Sequence, residues 1–497
     1  MIGLDLDRVP RFGPVRRAVS ILGVLLVIAA WWQVGQSTAG LTEVEVERDG
    51  VPITLLLPET AGPGPGVVVT HGFSGSRELM RSFALGLTAA GYAVALPDLA
   101  GHGANRNPLD TEARPVAADV LIALDVLSGR DEVDAGQVAL LGHSLGSGAV
   151  LEAASTAPDR VRAVVAVSPT DAAVTATSPP NLLLLVGELE PRFVANAESL
   201  LARAGGSSPD RALAMDLGTA RDLQIVPAVE HVSILFSTTA HRAAARWLDE
   251  VLGRVDSSLP ETVWSMLWWA TGLAGVVMVW RAVVPLLVGG EVRPDTRGRP
   301  LLGLLAGGIV ATSVLAVVGA FAELGTVAGM SVGPTLVAWF VLAGGVWSRF
   351  GPRPGPFDGR DLVWGALVLL VLVVAFGALA SRVWLPWFPI PRRVLYIPLF
   401  GAALLPWTVT LGAALQHRRG VNAFGWWAAV SALLLLTLGA ASNVVPGLGF
   451  VILVLPLLPV LIGLTMIVSA PVQRPWAAGI GTAGFLAWTI AVLFPLA

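Results

Sequence analysis

Neither cysteine nor lysine occurs in the 497 residues. The first absence excludes disulfides, thiolate nucleophiles and cysteine-ligated metals. The second closes Schiff-base chemistry and a serine–lysine mechanism. All 32 basic residues are therefore arginines, a usage that points to a GC-rich bacterial source. Charge as a whole is scarce: 13% of residues are charged and 54% are hydrophobic, with a mean hydropathy of +0.72. A soluble chain carries roughly a quarter charged residues, so much of this one must face lipid. The net charge of −3 leaves no basic footprint for a nucleic acid, and no nucleic-acid partner is expected.

The apolar residues are not spread evenly. Arg8, Arg11, Arg16 and Arg17 precede an apolar run from Ala18 to Val34 that ends near Trp31-Trp32. A basic flank, an apolar core and interfacial aromatics describe an anchor inserted with its N-terminus in the cytoplasm. A cleaved signal segment, with Ser37-Thr38-Ala39 as its small-residue site, is the rival, and the length of the apolar run favours retention. Three parts are expected: an anchor over 1–40, a globular domain over 41–255 and a membrane domain over 256–497. About eight spans are expected in the last, near 262–285, 301–321, 327–347, 362–380, 394–415, 424–441, 448–470 and 477–496. Arginines cluster in alternate loops, at Arg293, Arg297 and Arg299, at Arg349, Arg353 and Arg360, at Arg418 and Arg419, and at Arg474. The positive-inside rule then puts the globular domain outside the cytoplasmic membrane, with the loop of Arg382, Arg392 and Arg393 as the exception. The short Gly253–Pro260 linker keeps that domain near the bilayer surface. Mid-span carboxylates and histidines are missing, which disfavours an ion-coupled transporter.

Within the globular part, strand patterns at 42–47, 53–57, 66–70, 92–96, 138–141, 161–167, 182–186 and 223–226 alternate with helical ones, including Arg77–Ala90, Pro115–Ser128 and Arg192–Ala204. Such alternation predicts a mostly parallel sheet with reactive groups at the carboxyl ends of its strands. The stretch Val138–Gly148 organises it. An apolar strand runs into Gly142-His143-Ser144-Leu145-Gly146 and then a small-residue helix, the pattern of a strained turn that lifts a serine Oγ clear of the sheet. A serine needs a base, and the base an orienting acid. His231, just past the last strand, is the best-placed histidine. Glu190, at the end of a turn after the penultimate strand, is the preferred acid, with Glu188 and Asp171 as alternatives. The Phe73 amide, in the Gly-rich turn after the third strand, and the Leu145 amide, at a helix N-terminus, are candidate oxyanion donors. No cofactor and no metal is called for.

HGFSGS at 71–76, PDLAGHG at 97–103, GHSLG at 142–146, GELE at 187–190 and EHVSIL at 230–235 stand in this order, and through them residues 41–252 resemble an α/β-hydrolase fold serine hydrolase. The resemblance implies that Asp98 and His102 hold the loop after the fourth strand. In such enzymes the acid position more often holds Asp, so Glu190 is a departure. Many relatives carry a helical cap between the sixth and seventh strands. Here only Ser168–Asn181 is available, which leaves the site open or covered by the membrane part. The spans after residue 260 resemble no recognised family.

The expectation is therefore an α/β domain joined to an all-α transmembrane bundle in a multi-pass membrane protein. Ser144, His231 and Glu190 would cleave an ester or thioester, on a lipid-borne or otherwise membrane-proximal substrate. Two alternatives stand beside it: an acyltransferase using the same residues, and a catalytically silent domain within a membrane binding or transport protein.

Overall fold

The computed structural model describes the chain except residues 1–12, 37–39, 60–61, 111, 254–262, 289–291, 296–297 and 417. Arg8, Arg11, the Ser37-Thr38-Ala39 site, most of the Gly253–Pro260 linker and Arg297 lie outside the described residues. Two compact units emerge. One comprises Val34–Leu267 together with Ala380–Phe388 and Pro495–Ala497; the other comprises Met1–Gln33, Trp268–Leu379 and Pro389–Phe494. Hydropathy alone groups both of the distant stretches in the first unit with the spans.

After helix α1 (Pro14–Gln36) come the eight strands β1 (Leu41–Arg48), β2 (Val51–Pro58), β3 (Gly64–Thr70), β4 (Ala93–Pro97), β5 (Val133–His143), β6 (Ala163–Val167), β7 (Leu182–Gly187) and β8 (Arg221–Val226). They form one sheet in the order β1-β2-β4-β3-β5-β6-β7-β8. β2 is antiparallel to β1 and β4, and every other pairing is parallel. The β1–β2 hairpin closes through Asp49 and Gly50, both with positive φ (52° and 76°), as a two-residue turn requires. Period-two alternation divides the core between the sheet's two faces. Leu140, Val164, Ala166, Leu184 and Val186 pack on one side; Ala139, Leu141, Val165, Val167, Leu183 and Leu185 pack on the other.

Helices α2 (Arg81–Ala89), α3 (Ala117–Ser128), α4 (Leu145–Thr156), α5 (Pro191–Arg203), α6 (Arg211–Asp216) and α7 (Thr238–Leu252) complete this unit. α2 starts four residues later than the pattern predicts, because the Arg77 amide donates to the Asp98 carboxylate (3.0 Å) and the preceding residues turn instead. β5 begins five residues earlier than predicted, across a register irregularity between Gly64 and Gly66 of β3. α7 buries Ala240, Ala244, Trp247 and Leu248, the spacing of a helical face. Ser237 accepts from the Ala240 amide at its start, and left-handed Gly253 ends it.

The other unit is helical: α8 (Val263–Leu287), α9 (Pro300–Gly319), α10 (Gly333–Phe350), α11 (Gly359–Val371), α12 (Gly377–Val383), α13 (Pro391–Val394), α14 (Tyr396–Leu415), α15 (Gly420–Val444), α16 (Leu458–Ser469) and α17 (Pro475–Leu493). A π-helical stretch joins α11 to α12. Among the described residues, seven helices are long and apolar enough to cross a membrane: α1 and six beyond residue 261. Two of the eight spans expected there fall short. The 327–347 segment first forms a small hairpin, Thr326–Val327 with Met330–Ser331, so α10 begins only at Gly333. In the 448–470 segment Pro456 and Pro459 lie at breaks, and two 3-10 turns precede the 12-residue α16.

Close packing here rests on glycine. A Cβ on Gly307 would lie 2.5 Å from the Ala343 carbonyl, and one on Gly344 would meet the Trp407 backbone at 2.6 Å. Gly23 of α1 and Gly275 of α8 face each other in the same way, 2.7 Å from Cβ to carbonyl. Arg393, an exception to the charge pattern of the loops, is buried and donates to the Ala491 (2.8 Å) and Phe494 (2.7 Å) carbonyls. It caps the C-terminus of α17, where a cation is favoured.

Candidate active site

Ser144 sits between β5 and α4 with φ 53° and ψ −119°, a strained conformation for a residue bearing a Cβ. The strain is held from both sides: the Ser144 amide donates to the Val167 carbonyl (2.9 Å), and the Ser147 amide donates to the Ser144 carbonyl (2.8 Å). The flanking glycines are required by crowding. A Cβ on Gly142 would stand 2.2 Å from the Gly146 carbonyl oxygen, and one on Gly146 would stand 2.4 Å from that of His71.

The β8–α7 connection brings His231 over the end of the sheet. Its Nε2 lies 3.1 Å from Ser144 Oγ and its Nδ1 lies 2.6 Å from Glu190 Oε2. The other carboxylate oxygen, Glu190 Oε1, accepts from Ser168 Oγ (2.8 Å) and the Gly187 amide (2.9 Å). All three of Ser144, His231 and Glu190 are buried, so these are low-dielectric contacts. The chain order of serine, acid and histidine follows from the order of β5, β7 and β8 in the sheet.

The two alternative acids lie elsewhere. Glu188 accepts from the Ala228 amide (2.9 Å) and fastens the turn before His231. Asp171 is exposed and pairs with Arg203. Only Glu190 of the three reaches the imidazole.

Phe73 lies in the turn after β3, where Ser74 has φ 59° and the Gly75 amide closes back on the Gly72 carbonyl (3.0 Å). A Cβ on Gly72 would come within 2.9 Å of Ser144 Cβ, so this turn runs directly beside the serine. Leu145 opens α4, and the first amides of a helix have no acceptor within it. The turn of Phe73 and the start of α4 thus meet beside Ser144.

Three contributors escape sequence reasoning. His143 Nε2 donates to the His231 carbonyl (2.9 Å), and burial, then the neighbouring His231, push its pKa well below the ordinary 6.5. His143 is therefore a neutral strut. Phe193, three residues past Glu190, stacks on the His231 ring with centroids 4.4 Å apart and planes at 26°. Ser168, with φ 46° at the end of β6, turns its hydroxyl to Glu190. The Pro-Arg-Phe sequence after Glu190 and the serine after an apolar strand are the only local signals, and neither is distinctive.

The loop after β4 is built around buried Asp98. One carboxylate oxygen takes the Arg77 amide and the other takes the Ala104 amide (2.9 Å). His71 Nε2 accepts from the Leu99 amide (3.1 Å), and burial lowers the pKa of this histidine too. The His102 ring lies 5.6 Å from that of Phe73, edge to face. Among the described residues no group of three or more His, Cys, Asp or Glu side chains could hold a metal ion.

Residues 65–216 match the family model of the alpha/beta hydrolase fold. An uncharacterised protein of Mycobacterium tuberculosis is 33% identical over 140 residues, which cover 28% of this chain and 44% of that protein. An epoxide hydrolase of Caballeronia sordidicola is 27% identical over 131 residues, 26% of this chain and 38% of the relative. The chain thus spans less than half the length of these curated relatives. Among solved structures, a dienelactone hydrolase of Anabaena variabilis aligns with 22% identity and a TM-score of 0.33, covering 42% of this chain and 97% of that one.

Proposed function

We propose that this chain, which carries an α/β-hydrolase fold, is a membrane-anchored serine hydrolase that cleaves a carboxylic ester or thioester. The observation that carries the reading is the buried line from Ser144 Oγ through His231 to Glu190. Ser144 Oγ attacks the carbonyl carbon while its proton passes to His231 Nε2. The carbonyl electron pair moves onto oxygen, which the Phe73 and Leu145 amides receive. Collapse of this intermediate restores the carbonyl and expels the alcohol or thiol, which takes the proton from His231. Water, deprotonated by His231, then attacks the acyl-Ser144 ester and releases the acid. Glu190 holds the Nδ1 proton throughout, so that Nε2 is the free base.

The epoxide hydrolase among the relatives suggests a second substrate class, and the nucleophile speaks against it. Attack of a serine hydroxyl on an epoxide carbon would leave an alkyl ether. Water has no carbonyl there to attack, so turnover would stop.

Fluorophosphonate labelling of the purified chain in detergent tests the reading. Wild type is expected to label, and Ser144→Ala and His231→Ala to lose at least about a thousandfold in labelling rate. Folded wild type that does not react would return the domain to the silent class. An acyltransferase would share the labelling but transfer its acyl group to an added acceptor in preference to water.

The seven apolar helices are consistent with a multi-pass membrane protein. Although neither α10 nor the 448–470 segment is among the seven, each returns the chain to the Arg293–Arg299 loop, through the Arg299 amide to the Phe350 carbonyl (2.9 Å) and the Val292 amide to the Gln473 carbonyl (3.1 Å). Counted as crossings, they make the arginine loops alternate and support an extracytoplasmic hydrolase unit with a cytoplasmic N-terminus, and short tethers favour a lipid-borne acyl group. Because the chain lacks cysteine, single cysteines report the topology cleanly. Exposed Glu152→Cys should react with an impermeant maleimide on intact cells, and Arg419→Cys only after permeabilisation. The reverse pattern would place the hydrolase unit in the cytoplasm.

A further inference from the structure

The turn that carries Phe73 is under strain, since Ser74 holds a positive φ without being glycine. Strain of this kind persists only where surrounding contacts impose it. Its near end is tied to the loop after β4, through His71 to the Leu99 amide and through the Arg77 amide to Asp98. The remaining ties come from the two stretches that are distant in sequence yet belong to the same compact unit. The hydroxyl of buried Ser76, 308 residues away, donates to the Trp384 carbonyl (2.9 Å). Trp384 also packs on the core cluster to which Leu79, Met80 and Phe83 belong, and Leu385 and Trp387 are buried. On the other side Leu496 exchanges backbone hydrogen bonds with the loop after β4: its amide donates to Gly101 (2.8 Å) and its carbonyl accepts from Leu109 (2.8 Å). A Cβ on Gly101 would stand 2.5 Å from that carbonyl, so the glycine is what admits the strand-like contact.

We propose that Trp384, through Ser76, and Leu496, through Gly101 and Leu109, are positioning residues for the oxyanion-binding turn. Segments continuous in sequence with the apolar helices thereby fix the direction of the Phe73 amide. The inference rests on the serine-hydrolase reading and deepens it. A donor aimed at the oxyanion is felt only when charge develops there, so loosening it lowers kcat and leaves substrate binding alone. Packing alone would show no such selectivity.

The test compares wild type, Ser76→Ala, Ser76→Thr and Leu496→Pro, all as full chains in detergent, on a p-nitrophenyl ester, with apparent melting temperature recorded alongside. Ser76→Ala removes the tie to Trp384 together with the hydroxyl's contact to Glu78; Ser76→Thr keeps a hydroxyl for both. Leu496→Pro removes one donor while keeping the carbonyl. The expected result is a fall in kcat of about tenfold for Ser76→Ala and for Leu496→Pro with KM within twofold, an unchanged melting temperature in the two Ser76 variants, a lower one in Leu496→Pro because its buried side chain is also trimmed, and recovery of kcat in Ser76→Thr. An unchanged kcat in Ser76→Ala overturns the proposal, as does a rise in KM at constant kcat. A loss in Ser76→Ala that Ser76→Thr fails to recover while melting normally overturns it as well. Wild type inert toward both ester and fluorophosphonate would instead mark failure of the serine-hydrolase reading itself.

Discussion

Glu190→Gln is expected to lower kcat by about three to four orders of magnitude while leaving the fold intact. The cause lies in what surrounds the carboxylate. Oε1 accepts from two donors, the Ser168 hydroxyl and the Gly187 amide, and Oε2 faces His231 Nδ1. A glutamine in this place must keep its carbonyl oxygen toward the two donors, which forces its NH2 toward the imidazole. His231 Nδ1 then accepts, Nε2 carries the proton, and the ring can no longer take one from Ser144. The loss is one of tautomer, not of geometry. Glu188→Gln and Asp171→Asn should stay within about twofold of wild type, because neither side chain touches the imidazole. Steady-state kinetics on an ester and the fluorophosphonate labelling rate both read this. A Glu190→Gln chain within tenfold of wild type would mean that Glu190 does not orient the base.

The places of Ser144 after β5 and of His231 after β8 were legible because each depends on a short local pattern. The glycines of GHSLG announce a turn too crowded for side chains, and the last histidine before a terminal amphipathic helix has few competitors. The inner strands of the sheet were legible from aliphatic runs and the edge strand β1 from its alternation of apolar and charged residues, and the parallel sheet from the alternation of strands with helices. The contacts that aim the site were not. Ser168, Phe193 and His143 act through partners brought in by the ends of other strands, and nothing in their own neighbourhoods says which ring or carboxylate they will meet. Glu190 could be preferred to Glu188 from its place in the turn, yet its reach depends on a backbone path that no spacing rule supplies.

The membrane helices show a different limit. Hydropathy locates apolar residues but cannot tell a span from a broken segment when prolines or a hairpin interrupt it, as at Pro456, Pro459 and the turn before Gly333. Nor can it assign Ala380–Phe388, whose tryptophans suit a membrane interface and a protein core equally well. Arg393 illustrates the same ambiguity in charge: the positive-inside rule counts it as a loop arginine, while the structure uses it to cap a helix.

Glu78 supplies the second large effect. Burial, reinforced by the charge of Asp98 and opposed by that of Arg77, pushes its pKa up to about 7, and Glu78 Oε2 is buried without a hydrogen-bond partner. In the unfolded chain the same carboxyl titrates near its ordinary 4.5. Below that value both states hold the proton and the residue costs nothing. As pH rises from 4.5 to 7 the unfolded chain releases its proton first, so stability falls; above 7 the penalty is constant. Two and a half pH units correspond to about 3 to 4 kcal/mol at most, and Glu78→Gln, which mimics the protonated form, should recover much of it. The variant is therefore expected to melt several degrees above wild type at pH 8 and alongside it at pH 4.5. A paired melting experiment at the two pH values decides it, and an equal gain at both would show that the benefit does not come from the proton. Such a carboxyl is retained at a cost, and it sits beside the Arg77–Asp98 tie at the end of the turn that carries Phe73. Kinetics of Glu78→Gln across the same pH range would then show whether the charge that weakens the fold also stiffens the turn.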